Sequence, residues 1–224
     1  MKSHLKAFNV PNTWKEVGDK STTFLVRPNS GAHTLDLGMP LSIVLKKLGY
    51  TVTTREVKKA LNTQNILVDG SRKKEAAHSF GFMDVLTIEP TDEHYRCLFD
   101  ENGQLIFAPI KKENSKKKIS KIIGKTVLRK GKLQLNLNDG RNLLVDKQYN
   151  IGDSIVLSVP DQKVLDVLPL KEGASVYLIG GKHVGDTGKV EKIQGEMIAY
   201  KSKENQTIQT LKKYAFAFDE KLVR

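Results

Sequence analysis

Residues 54–62 read TREVKKALN, and residues 66–75 continue as ILVDGSRKKE. Wound at 3.6 residues per turn, the first segment sets Arg55, Lys58, Lys59 and Asn62 on one face and Val57, Ala60 and Leu61 on the other. Such a helix docks its apolar side and presents three cations and an amide outward. The second segment is a short apolar run, a turn at Asp69-Gly70 and a basic cluster, Arg72, Lys73 and Lys74. A packed helix aiming Arg and Lys outward beside a basic hairpin suits a phosphate backbone. The bland alternative is a solvated helix face, the ordinary fate of a charge run.

Outward from that centre, residues 41–90 read as a compact α+β unit. LSIVLKKLGY at 41–50 spaces Leu41, Val44, Leu45 and Leu48 as a helix, with Gly49 as its stop. Thr53 or Thr54 can cap the second helix, and Glu56 belongs in a first turn, where the helix dipole favours an acid. Residues 65–69 are strand-like, and residues 82–88, FMDVLTI, offer a closing strand before Pro90. Residues 1–40 hold little periodicity. Pro11, Pro28, Gly31, Gly38 and Pro40 punctuate them around Phe8, Trp14 and Phe24, so they read as an extended arm with aromatic anchors. Trp14 can stack on a base or anchor the arm, and the anchor is favoured.

Residues 91–170 read as β-rich. Residues 95–99 and 105–107 flank Asn102-Gly103 as a hairpin. KLQLNL at 132–137 alternates strictly, Asp139-Gly140 turns, residues 142–145 return, and residues 154–159 form another strand. Between them lies the densest cationic stretch: residues 111–132 carry ten Lys or Arg and one acid, Glu113. Residues 171–224 read as short strands at 174–179, 188–193, 197–200, 207–211 and 215–218. Gly180, Gly181, Gly185 and Gly188 lie in one loop, a pattern expected of an SH3-like barrel. The expected fold class is therefore α+β and multidomain: an arm (1–40), a helix–hairpin module (41–90), a central β domain (91–170) and a small barrel (171–224).

The formal net charge is +12, and no single tail carries it. Residues 1–42 contribute +2, 43–90 +3, 91–170 +4 and 171–224 +3. A large positive field favours a polyanionic partner whatever the fold. Cys97 stands alone, which leaves no intrachain disulfide or cysteine metal cluster and fits a reducing cytosol. No stretch approaches the roughly 18 apolar residues of a membrane span, and the N-terminus lacks the apolar core of a signal peptide. His4, His33, His78, His94 and His183 are scattered without metal-ligand spacing, so neither metal nor cofactor is expected.

GGKHVGDTGKV at 180–190, set in strand–loop–strand, resembles the KOW motif of ribosomal and transcription-associated proteins, in which the glycine-bearing loop lies against RNA. TREVKKALN with NILVDGSRKKE and GFMDVLTI resembles the small RNA-binding module shared by ribosomal proteins and RNA-modifying enzymes. HLK at 4–6, PNTW at 11–14, RPNSGAH at 27–33 and KLQLNLNDGRNLLVD at 132–146 complete the set. In this order the motifs resemble the archaeal S-four-e family of small-subunit ribosomal proteins over nearly the whole chain. Asn29 and Ala32 stand where the family pattern has an arginine and a proline.

The resemblance implies a non-enzymatic, cytoplasmic constituent of the 30S subunit. Its implied partners are 16S ribosomal RNA and other small-subunit proteins, with no membrane and no small-molecule substrate. The expected RNA contacts are His4, Lys6, Arg27 and His33 in the arm and Arg55, Lys58, Lys59 and Asn62 on the helix. Arg72, Lys73 and Lys74 on the hairpin, Lys116, Lys117 and Lys118 in the lysine run, and Lys182 and His183 in the glycine loop complete them. Arginine grips phosphate bidentately and lysine as a point charge, while glycines without Cβ atoms allow close approach of RNA. Two rival classes stand beside this one. An RNA-modifying enzyme uses the same helix–hairpin module but needs a catalytic domain. The sequence has no phosphate-cradling Gly-Lys-Ser/Thr loop and no Cys–His pairing at telling spacing, and Asp139, Asp146 and Asp153 sit where turns need them. A transcription-elongation factor rests on the KOW-like loop alone.

Overall fold

The computed structural model describes residues 4–14, 23–203 and 205–220, so parts of the expected arm and the last four residues lie outside it. The chain is mostly β, with three short α-helices among the described residues, and it divides into two compact units. The first comprises the chain up to Leu98 with Gln104–Ser115; the second comprises Phe99–Gly103 with Lys116 onward.

In the first unit a two-stranded antiparallel pair, β1 (His4–Lys6) and β2 (Phe24–Val26), precedes a second pair, β3 (Gly38–Pro40) and β6 (Ser79–Gly81). Two helices follow β3: α1 (Leu41–Lys47) and α2 (Thr54–Thr63). A five-stranded sheet, ordered β5-β4-β7-β8-β9, is built from β4 (Ile66–Val68), β5 (Ser71–Arg72), β7 (Val85–Ile88), β8 (Glu93–Phe99) and β9 (Leu105–Pro109). The four-residue α3 (Lys112–Ser115) closes the unit. Leu41, Val44, Leu45, Val57, Leu61, Ile66, Leu86 and Phe80 are buried, the apolar positions that the helical and strand periodicities single out. The hairpin at 95–107 pairs through β8 with β7, and so extends this sheet.

The closing strand expected over 82–88 is shorter. Met83 has φ +66°, and the Asp84 carboxylate accepts the Gly81 N–H at 3.0 Å. That side-chain bond makes a turn of residues 81–84 and delays the strand to Val85. Trp14 is fully buried, and its indole N–H is within bonding distance of the carbonyls of Leu35 (3.1 Å) and Gly38 (3.0 Å). It anchors the segment that contains it.

The second unit contains two five-stranded antiparallel sheets. One is ordered β12-β11-β10-β13-β14, from β10 (Lys117–Val127), β11 (Leu133–Leu137), β12 (Asn142–Val145), β13 (Ser154–Ser158) and β14 (Val164–Leu168). Ile122, Leu135, Leu137, Leu143, Ile155 and Leu157 form its core. The other is ordered β18-β17-β16-β15-β19, from β15 (Ser175–Leu178), β16 (Thr187–Gln194), β17 (Met197–Ser202), β18 (Thr207–Leu211) and β19 (Ala215–Ala217). Val176, Leu178, Val190, Ile198, Tyr200 and Ala217 are buried against it.

The longest strand among the described residues, β10, runs through the lysine stretch, which reads in sequence as a charged run with no strand. Two of its lysines point inward. Lys118 Nζ lies 3.1 Å from Asp139 Oδ2 in the turn between β11 and β12, both side chains 1% exposed. Lys121 Nζ donates to the carbonyl oxygens of Lys212 (3.0 Å), Lys213 (3.0 Å) and Ala215 (2.5 Å). An ammonium has three donors and no acceptor, so three carbonyls satisfy it. Burial, with a smaller push from the Lys212 charge, still lowers its pKa to about 8.

This arrangement sets a stability signature. Lys121→Met removes three hydrogen bonds and leaves three carbonyls without this donor, an expected loss of about 3 kcal/mol in denaturant unfolding. The folded pKa of about 8 lies below the ordinary 10.5. The folded chain therefore binds fewer protons between these values, and the burial cost of this group is relieved as pH rises through that window. The difference in stability between the native chain and Lys121→Met should grow with pH there; a flat difference contradicts the buried, charged lysine.

Candidate nucleic-acid interface

The cationic face of α2 is fixed from below by packing and from its N-terminus by a capping box. Val57 and Leu61 are fully buried, whereas Arg55, Lys58, Lys59 and Asn62 are exposed. At 100° per residue these four fall within an arc of about 100°. Thr53 caps the helix: its hydroxyl accepts the Glu56 N–H at 3.2 Å, and the Glu56 carboxylate accepts the N–H groups of Val52 (2.9 Å) and Thr53 (3.3 Å). These bonds hold the Glu56 pKa below the usual carboxylate range, and they turn the only acid of the helix toward its own N-terminus rather than onto the basic arc. Lys46, at the end of α1, reaches the Thr54 hydroxyl at 3.3 Å and so adds a cation beside the first turn. The Lys-Lys pair before Gly49 was its signal in the sequence.

The basic hairpin is tied to the same helix. Asp69 (φ +50°) and Gly70 (φ +70°) make the left-handed pair that a two-residue hairpin turn requires. Arg72 then donates from Nη2 to the carbonyl of Asn62 at 2.9 Å, in the last turn of α2, where free carbonyls favour a cation. Arg72 thus ties the hairpin to the end of α2. Lys74 is exposed and Lys73 half-buried. Helix and hairpin cations therefore share one local surface.

His4, Lys6 and Arg27 are exposed, the first two on β1. Lys116 is exposed, Lys117 is half-buried, and Lys182 is exposed beside the half-buried His183. Two expected contacts need correction. The His33 side chain is 1% exposed, with Nε2 2.8 Å from Asp84 Oδ2, so its ring is occupied inside the first unit. Lys118 is committed to Asp139 in the interior. In both cases a residue type common on RNA-binding surfaces pairs instead with an internal carboxylate.

The glycines at 180–188 also serve the protein's own packing. A Cβ on Gly185 (φ +85°) would collide with the Asp100 carbonyl, and one on Gly188 with the Lys201 carbonyl. Both are required by contacts within the second unit. The loop is further held by Asp186, whose carboxylate accepts the Thr187 N–H (2.7 Å) and the hydroxyls of Tyr200 (2.8 Å) and Ser202 (3.1 Å). Burial and this carboxylate push the Tyr200 pKa up. Close packing at Gly185 and Gly188 and the bonds to Asp186 fix the loop, in which Lys182 is exposed.

Comparison with known proteins gives one consistent result. The family described as Ribosomal family S4e matches residues 91–164. The chain is 36% identical to the small ribosomal subunit protein eS4 of Methanococcus maripaludis strain C6, over 96% of this chain and 93% of that protein. It is likewise 36% identical to the protein of that name from Methanothermobacter thermautotrophicus, over 99% and 95%. Among solved structures, the crystal structure of the 30S ribosomal protein S4e from Thermoplasma acidophilum superposes with a TM-score of 0.71 at 28% identity. It covers 81% of this chain and 95% of that one.

The two kinds of lysine are separable by experiment. Lys118→Ala leaves Asp139 buried without this partner and should cost about 3–5 kcal/mol, read by thermal unfolding. Lys116→Ala, at an exposed site, should leave stability within about 0.5 kcal/mol while weakening binding to a random-sequence RNA at low salt. The reverse pattern contradicts the assignment.

Proposed function

The chain belongs to the eS4 family of small ribosomal subunit proteins, and from that premise we propose that it binds 16S ribosomal RNA through basic surfaces on several modules, without catalysis. It is a structural constituent of the small ribosomal subunit. The observation that carries this reading is the 36% identity to named subunit proteins over essentially the whole of both chains. The relatives give no support to the RNA-modifying alternative.

The physical support lies in where the charge sits. RNA helices are recognised largely by shape and by contacts to phosphate and 2′-hydroxyl groups, with phosphates dominating affinity. The α2 arc with Arg72 and Lys74 offers Arg and Lys for phosphate and Asn62 for sugar or base. We read residues 41–90 as the helix–hairpin RNA-binding module, residues 91–170 as the central β domain, whose first hairpin joins the sheet of the first unit, and residues 171–224 as the KOW-type, SH3-like barrel. The arm at 1–40, Lys116 and Lys117 of the basic stretch, and Lys182 and His183 of the glycine loop supply further contacts. Several weak modules on one chain raise each other's effective concentration. Neighbouring small-subunit proteins are the other expected partners, and the cytoplasm is the expected compartment.

Arg55→Ala with Lys58→Ala should weaken binding to a 16S rRNA fragment and lower the slope of log affinity against log salt by roughly 1.5, at about 0.7–0.9 per phosphate contact. Both side chains are exposed, so circular dichroism should be unchanged. In a cell lysate the native chain should stay with the small-subunit peak through a high-salt sucrose gradient. Unchanged affinity of the double variant removes the α2 surface from the reading, and a chain that runs free of the subunit overturns the reading itself.

A further inference from the structure

The first β pair leaves two of the three expected aromatic anchors of residues 1–40 exposed. Of the three large rings, Trp14 is the buried anchor, while Phe8 is 78% and Phe24 54% exposed. Strand alternation explains why. In the register of β1 and β2, Leu5 pairs with Leu25, and Lys6 pairs with Phe24. Leu5 is buried, so Leu5 and Leu25 take the inner face, which leaves His4, Lys6, Phe24 and Val26 on the other. On that face the His4 and Phe24 rings meet edge to face, centroids 5.0 Å apart at 84°. The Lys6 ammonium stands 5.4 Å from the centroid of the Phe8 ring. Arg27, exposed, follows β2 directly.

Two exposed phenyl rings on a chain with a net charge of +12 require an explanation. We propose that this face is a stacking platform for unpaired nucleobases of RNA, with Phe24 and Phe8 as the stacking rings and Lys6, His4 and Arg27 drawing in the adjoining phosphates. The proposal rests on the RNA-binding reading above and adds a ligand class to it: single-stranded or bulged nucleotides rather than helical backbone. Charge complementarity selects this occupant. Each phenyl ring is paired with a cation or an imidazole, so the face offers a π surface and a positive charge together. An unpaired nucleotide presents a base and a phosphate at the same spacing scale. A purely apolar protein contact needs the rings but not the cations beside them.

The test uses the full chain and an oligoadenylate of about eight nucleotides, within the site size of known single-strand binders, with inorganic polyphosphate of equal charge as the control. Phe24→Leu and Phe8→Leu keep exposed apolar surface but remove the π face, and each should weaken oligoadenylate binding about tenfold. Phe24→Trp should retain affinity, and its exposed indole should be quenched by oligoadenylate but not by polyphosphate; Trp14, buried, supplies a constant background. Native affinity in both leucine variants overturns the proposal, because an apolar protein contact or plain electrostatics tolerates leucine. Equal quenching by polyphosphate overturns it as well. Arg55→Ala with Lys58→Ala, measured in parallel on a 16S fragment, separates the two levels. If that variant weakens binding while the phenylalanine variants do not, only the platform falls; if neither does, the α2 surface falls as well, and the RNA-binding reading itself falls only if the chain also runs free of the subunit.

Discussion

The burial of two lysines on β10 is the constraint on which the second unit depends. An isolated ammonium in an apolar interior is too costly to keep, and it persists only where carboxylates or carbonyls replace its water. Lys118 meets Asp139, which Arg141 Nε also approaches at 3.4 Å, so the ion pair ties β10 to the β11–β12 turn. Lys121 meets three carbonyls around residues 212–215. One strand is thereby fastened to its own sheet and to the chain that follows β18. The polar network is specific in a way apolar packing is not, because a shifted register would leave the same groups unsatisfied.

The consequence for function is a division of labour within one residue type. A net charge of +12 advertises a polyanionic partner, but the charge is not uniformly available. Lys118, Lys121 and His33 face inward, and Arg72 spends one donor on the α2 terminus. The side chains left exposed on helix, hairpin and arm are those whose strand or helix partners are already buried. Amphipathic packing, rather than charge alone, selects which cations stay exposed, and these are the ones proposed to meet RNA. The capping box serves the same end, since it binds the one acid of α2 to backbone amides and leaves the outward arc basic.

Rigidity is supplied by backbone constraints that have no direct role in binding. Gly185 and Gly188 permit close approach of Asp100 and Lys201, and Asp186 gathers a hydroxyl pair and an amide. The Tyr177 hydroxyl donates to the Phe99 carbonyl at 2.6 Å and accepts its N–H at 2.8 Å. A loop fixed in this way would spare the proposed contacts at Lys182 and His183 an ordering cost.

Much was legible in the sequence because it depended on local periodicity. The 3.6-residue spacing of Val57 and Leu61 against Arg55, Lys58 and Lys59 determined which face of α2 is outward. Asp69-Gly70 and Asp139-Gly140 fixed two turns, and the alternation of residues 132–137 set a strand. These features need only near neighbours. What tertiary structure decided was the fate of polar and aromatic residues whose partners are distant in sequence. β10 was hidden because its inward positions carry lysine, a residue that reads as solvated until Asp139, 21 positions away, and the carbonyls near residue 215 supply its partners. His33 went inward because Asp84 waits there. Trp14 is the anchor the sequence favours, held by the carbonyls of Leu35 and Gly38, whereas Phe24, read as a second anchor, stays exposed because strand pairing puts Leu5 and Leu25 on the inner face. A sequence states which groups must be satisfied; the fold decides by whom, and only the groups it leaves over are free to meet RNA.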